Sequence, residues 1–199
     1  MEMRMHHQLK NSEFHLKPGQ IQRIIERAGN LRDACIIKMF AQTGIRRAEL
    51  AALEIPDIDF RQQLIHIRNG KGGKARIVPV VKDLLLDLHK LFSRRRSGAV
   101  FLSKRVGHLT LRQVNWIVAQ AGERARVRNP NPKYKGLNTH LFRHTFARIW
   151  KIRRGSIETL SKILGHSSVK TTLDVYGTEG LSDIQKNYGK TMGKYWDRA

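Results

Sequence analysis

Residues 140–144 read His140-Leu141-Phe142-Arg143-His144, and residues 164–176 read Leu164-Gly165-His166-Ser167-Ser168-Val169-Lys170-Thr171-Thr172-Leu173-Asp174-Val175-Tyr176. On a helix over 139–152, His140, Arg143 and His144 fall at i, i+3 and i+4 and share a face. Leu141, Phe142, Phe146, Ile149 and Trp150 then remain to cover a core. Asn138 or Thr139 is placed to cap that helix, which puts His140 in the first turn, where unpaired backbone amides favour an anion. Ser156 opens the next helix, with Glu158 at its positive end and Leu160, Ile163 and Leu164 facing inward. Gly165 takes the position at which a helix stops in a left-handed conformation, so His166 lies on a sharp turn. Tyr176 continues a stripe of Val169, Thr172 and Leu173. Each feature has an ordinary explanation: a solvated basic helix face, a surface histidine, a tyrosine in a core. Together they gather cations around a phenol, with no carboxylate among the reactive groups. That arrangement suits attack on a phosphate, whose developing charge has to be held. His-x-x-Arg-His also lacks the glutamate of the zinc motif His-Glu-x-x-His.

The rest of the chain is consistent with an anionic partner. Its 199 residues carry 38 Lys+Arg against 16 Asp+Glu, a formal charge of +22, and a pI near 11.0, which is an electrostatic footprint of nucleic-acid binding. Charge alone would equally suit a ribosomal or architectural protein. Cys35 is the one cysteine, so the chain can form neither an internal disulfide nor a cysteine-based zinc site. Met1 to Lys10 has no apolar stretch of the secretory kind, and no run is long and apolar enough for a membrane span. His6-His7 is a pair in a polar tail, the usual kind that binds nothing. A cytoplasmic protein without cofactor or metal is expected.

Periodicity divides the chain into a lead-in over 1–17, one domain over 18–178 and a C-terminal tail helix over 179–199. Pro18 begins a helix bearing Ile21, Ile24 and Ile25, and Gly29-Asn30 ends it. A second helix runs over about 31–42 and breaks at Thr43-Gly44. A third opens at Ile45-Arg46-Arg47 and ends near Pro56. Residues 63–68 and 76–80 alternate as strands around a glycine- and lysine-rich turn, Asn69-Gly70-Lys71-Gly72-Gly73-Lys74. Helices follow at about 82–92, 110–126, 139–152, 156–164 and 168–177, with an amphipathic stretch at 181–192. The expected fold is mainly α with a small antiparallel β-sheet (α+β). In its N-terminal half, Arg46 at a helix start can clamp two phosphate oxygens, with Arg47 as the surface residue of the pair. Lys71 at the turn can reach a leaving oxygen, although Gly/Lys turns are commonly plain solvated hairpins.

The order of these motifs is specific: Thr43-Gly44-Ile45-Arg46-Arg47-Ala48-Glu49-Leu50, then Gly70 to Val80, then His140 to His144, then Leu164-Gly165-His166, then Tyr176 ten residues on. The pattern resembles the catalytic domain of tyrosine recombinases, the phage-integrase and Xer-like family, over about residues 18–178. The resemblance implies the tyrosine-recombinase catalytic-domain fold and a catalytic set of Arg46, Lys71, His140, Arg143, His166 and Tyr176. It implies that Tyr176 attacks a DNA phosphodiester to form a 3′-phosphotyrosine link, with Lys71 protonating the 5′-oxygen. It gives His144 a supporting role and Glu49 an orienting one. It further implies double-stranded DNA as partner, a homo-tetramer on paired sites with a monomer or weak oligomer in free solution, and a C-terminal helix exchanged between protomers. Family members usually carry a separate N-terminal helical domain. With Arg46 so early there is no room for one, so the chain reads as an excised catalytic domain or a natural short recombinase. Two other readings use the same residues: a type IB topoisomerase-like nicking-closing enzyme, and a DNA-binding regulator with the same fold.

Overall fold

The structure is a computed structural model that describes residues 14–68, 70, 75–103 and 107–166. Lys71, Tyr176 and the helices expected over 168–177 and 181–192 lie outside the described residues. Seven α-helices and a three-stranded sheet are assigned within them. The helices are α1 (Pro18–Glu26), α2 (Leu31–Thr43), α3 (Arg47–Ala51), α4 (Lys82–Phe92), α5 (Leu111–Arg124), α6 (Thr139–Ile152) and α7 (Ile157–Leu164). The strands are β1 (Ile58–Asp59), β2 (Leu64–Ile67) and β3 (Arg76–Pro79), antiparallel and paired in that order. Mostly helical with a small antiparallel sheet, this is the expected class.

The central element is α2. Cys35, Ile36, Ile37, Met39 and Phe40 are all fully buried, so the helix is apolar over most of its circumference, as an enclosed helix has to be. It packs against α1, α4, α5 and α6, and Phe40 meets Phe142 of α6 with ring centroids 6.5 Å apart. On the α4 side Lys38 reaches Asp83 at 3.1 Å and Asp87 at 2.6 Å. The sheet follows the two-residue period: Ile65, Ile67 and Val78 point into the core, while His66 and Ile77 are exposed. Its register sets Ile65 opposite Val78 and His66 opposite Ile77.

The local signals for helix ends operate as their chemistry requires. Asn30 accepts from the Asp33 N–H at 2.9 Å, Asn138 from that of Leu141 at 2.9 Å and Ser156 from that of Thr159 at 3.3 Å, each satisfying an amide that the helix leaves open. Gly44 and Gly165 stop α2 and α7 in the left-handed region at φ 61° and 63°. One expectation needs correction, and two features lie beyond what the sequence reading named. The third helix ends at Ala51 rather than near Pro56, which sits in a separate 3-10 turn, Ile55–Asp57. The chain is drawn off the helix because the Leu53 carbonyl accepts from Val100 N at 2.8 Å and Ile55 N donates to the Gly98 carbonyl at 2.9 Å. Strand β1, too short for alternation to register, exists through its pairing with β2. Leu16, placed in the lead-in, is fully buried, and its N–H donates to Thr145 Oγ1 at 3.0 Å.

Gly44 joins α2 to the α6–α7 layer. A Cβ there would lie 2.7 Å from Phe146 and 2.9 Å from Leu164. Gly44→Ala therefore combines left-handed strain with overpacking, and a loss of at least about 1–2 kcal/mol is expected in chemical denaturation. An unchanged unfolding midpoint would contradict this account of the α2 terminus.

Candidate active site

The last turn of α7 presents the carbonyls of Ile163, Leu164 and Gly165 in succession, and each accepts from a different arginine. Arg76 Nε donates to Ile163 O at 2.7 Å, Arg143 Nη2 to Leu164 O at 2.7 Å and Arg46 Nη2 to Gly165 O at 2.9 Å. A helix C-terminus leaves such carbonyls open and carries partial negative charge, so cations settle there. The three residues come from β3, α6 and the start of α3. Non-local folding thus brings them to one turn.

Arg143 is also tied to the end of α2, with Nη1 donating to the Gly44 carbonyl at 2.7 Å. It is only 9% exposed. Its Nη2 lies 3.1 Å from Nε2 of His166. A guanidinium can only donate, so Nε2 accepts and the ring proton is assigned to Nδ1. Arg46 sits just after Ile45, which is buried, and before the first turn of α3. Its Nη1 donates to Glu49 Oε1 at 2.9 Å and its backbone N–H to Glu49 Oε2 at 2.8 Å. The Arg46 side chain is 25% exposed. It is half-buried rather than enclosed, and more open than Arg143.

Glu49 is the carboxylate that holds this cluster together. Arg76 grips it with two parallel hydrogen bonds, Nη1 to Oε1 at 2.7 Å and Nη2 to Oε2 at 2.8 Å, the bidentate geometry in which arginine is strongest. Burial by itself would raise the Glu49 carboxyl. The hydrogen bonds from Arg76 and Arg46, with the charge of Arg76, outweigh it and bring the group down to about 2. The orienting part expected of Glu49 thus has a geometric basis. Arg76 lies within the Gly70–Val80 motif, and the sequence pattern assigns it no part in the site. The signal available was an arginine at the mouth of a strand whose other positions are apolar.

His140 and Arg143 are on one helix but in different surroundings. His140 is exposed and lines a cleft of about 130 Å³ with Phe14, Asn129, Asn131, Tyr134, Asn138, Leu141 and His144. His144 is held below the usual imidazole range by burial first and by the charge of His140 second. The structure therefore brings Arg46, Arg143 and His166 onto one turn, whereas His140, on the first turn of α6, lines the separate cleft. Lys71, in the connection between β2 and β3, and Tyr176 are beyond what the structure describes. Among the described residues no cluster of three or more His, Cys, Asp or Glu could hold a metal ion, and no helix is long and apolar enough to cross a membrane.

Helices thus surround a small sheet, and three arginines converge beside a histidine at the end of α7. The chain belongs to the phage integrase family, whose model matches residues 15–179. It is 30% identical over 164 residues to tyrosine recombinase XerA of Pyrococcus horikoshii, an alignment that takes in 79% of this chain and 54% of that protein. The crystal structure of XerA recombinase superposes with a TM-score of 0.72 at 28% identity, covering 89% of this chain and 65% of the other. The XerH site-specific recombinase bound to its difH substrate shares the fold, with a TM-score of 0.66 at 21% identity over 88% of this chain and 53% of the other. The chain spans about half the length of the XerA protein it matches.

The Glu49 cluster makes a pH-dependent contribution to stability. The carboxyl is lowered from 4.5 to about 2 in the folded chain. The contribution is therefore present above the unfolded value and is lost as pH falls from there toward the folded one; it is on the order of 3 kcal/mol. Glu49→Gln is expected to destabilise the chain by about that amount at neutral pH, with the gap to the parent closing as pH approaches the folded value. A gap of the same size throughout a pH series of urea titrations would contradict the assignment.

Proposed function

We propose that this chain is the catalytic part of a site-specific recombinase that cuts and rejoins double-stranded DNA through a 3′-phosphotyrosine intermediate. The observation that carries the reading is the convergence of Arg46 and Arg143, with His166, on the last turn of α7. Membership of the phage integrase family and the likeness to XerA support it.

In this reading the phosphodiester lies over that turn, and the two guanidiniums hold its non-bridging oxygens as charge builds in the transition state. The Tyr176 hydroxyl attacks phosphorus as His140 takes its proton, while His166, left with Nδ1–H as a donor by its bond to Arg143, hydrogen-bonds a phosphate oxygen. A phosphorus–oxygen bond forms to tyrosine as the bond to the 5′-oxygen breaks, and Lys71 gives that oxygen the proton with which it leaves as a hydroxyl. The new ester replaces the old one, so the reverse step, attack by a 5′-hydroxyl, rejoins the strand without ATP. Arginines provide the charge stabilisation that metal ions supply elsewhere. Strand exchange between two sites needs four active sites, and we assign them to a homo-tetramer on paired DNA in the cytoplasm, linked by the tail over 179–199.

Three results test this. Tyr176→Phe is expected to keep duplex binding and lose the covalent adduct on a nicked duplex; an undiminished adduct on a denaturing gel would move the nucleophile elsewhere. Arg143→Lys removes the planar fork and is expected to slow cleavage by about 10²–10³, and a rate close to the parent's would take Arg143 out of the phosphate site. Cleavage is expected to survive EDTA, and a requirement for added magnesium would sink the arginine-only mechanism.

A further inference from the structure

The cleft beside His140 has a composition that the chemistry of cleavage does not use. No Asp or Glu occurs between Glu123 and Glu158, whereas Arg126, Arg128, Lys133 and Lys135 crowd the segment leading to α6. All four are exposed. A merely solvated face mixes both signs. Tyr134, between the two lysines, is 55% exposed and lines the cleft.

The orientation of the asparagine amides is set by what their oxygens do. Asn131 Oδ1 accepts from Lys133 N at 3.0 Å, and Asn138 Oδ1 accepts from Leu141 N at 2.9 Å. With both oxygens committed, each residue keeps its Nδ2 as a donor. The cleft wall is therefore rich in donors: two amide NH₂ groups, the Tyr134 hydroxyl and the His140 ring, with lysines at the rim. His140 lies about one helical turn, roughly 5 Å, along α6 from Arg143. A strand whose reacting phosphate sits on Arg143 thus brings a neighbouring phosphate toward this wall.

We infer that the cleft formed by Asn131, Tyr134, Asn138 and His140, with Lys133 and Lys135 at its rim, seats a DNA backbone phosphate next to the one that reacts. The inference rests on the DNA reading above and adds positioning residues to it. Asn131 and Asn138 hold the strand in register and take no part in bond exchange.

The amide geometry supplies a direct test. Asn131→Asp and Asn138→Asp keep the oxygen that each loop or cap needs and exchange only the outward donor for an acidic oxygen. Asp is also as good a helix cap as Asn. Binding to a random-sequence DNA duplex is measured over a salt series, with thermal midpoints alongside. The expected result is a native midpoint, about tenfold weaker binding, and a plot of log K against log salt that is shallower by about 0.9, because each new carboxylate offsets one cation of the rim that would otherwise neutralise a phosphate. Lys133→Gln with Lys135→Gln, at exposed sites, is expected to shift the slope in the same direction and serves should an Asp variant fold poorly. Gln22→Glu on α1 adds equal negative charge away from the cleft. If it weakens binding as much, the effect is bulk charge and the seat is overturned. Parent-like affinity and slope in the cleft variants overturn it too. A parent chain that does not bind duplex at all overturns the DNA reading itself, and the seat with it.

Discussion

Three carbonyls at the end of one short helix organise this domain. Those of Ile163, Leu164 and Gly165 have no partner within α7 and draw in Arg76, Arg143 and Arg46 from three distant parts of the chain. Hydrogen bonds from charged donors of this kind contribute about 1.5–3 kcal/mol each. Their larger effect is geometric. The cations are fixed in place by the protein itself, the kind of preorganisation that the proposed chemistry calls for. Gly44 and Gly165 make the arrangement possible. Both adopt left-handed backbone, and each offers its carbonyl to one of the arginines.

Guanidiniums brought so close repel one another, and the cluster needs an internal anion. Glu49, only 3% exposed at its side chain, accepts from the Arg46 guanidinium with one oxygen and from its backbone N–H with the other, and from Arg76 with both. One carboxylate against three arginines leaves the site positive, and that excess is what a phosphate diester would offset. Arg76 has its Nε and both terminal nitrogens on protein acceptors. It is best read as a support that holds Glu49, and through it Arg46, in place. Arg46, with its more open side chain, and Arg143, beside His166, are the two to which the proposed function gives the phosphate.

Much of this could be read in the sequence because its determinants are local. The Asn138 and Ser156 caps, the Gly165 stop, and the helices Pro18–Glu26 and Leu31–Thr43 follow from neighbouring residues, and the structure bears them out. The arginine and histidine motifs were legible as types at a spacing. Decisions made by distant chain were not. The third helix is cut short by contacts with Gly98 and Val100, β1 depends on β2, and Leu16 is docked by Thr145. Arg76 belongs to this second group, since nothing within its strand announces a carboxylate twenty-seven positions earlier. A shared helical face likewise did not reveal that Arg143 is enclosed while His140 stays at the surface.

In the proposed function the last turn of α7 holds Arg46 and Arg143 ready for one phosphate. A crystal structure of the chain bound to a nicked DNA duplex tests it most directly. The account predicts a backbone phosphate with its non-bridging oxygens within hydrogen-bond reach of Arg46 and Arg143 and close to the His166 ring, while Arg76 stays on Glu49. A phosphate bound away from that turn, or an Arg76 that leaves Glu49 to take it, would contradict the account.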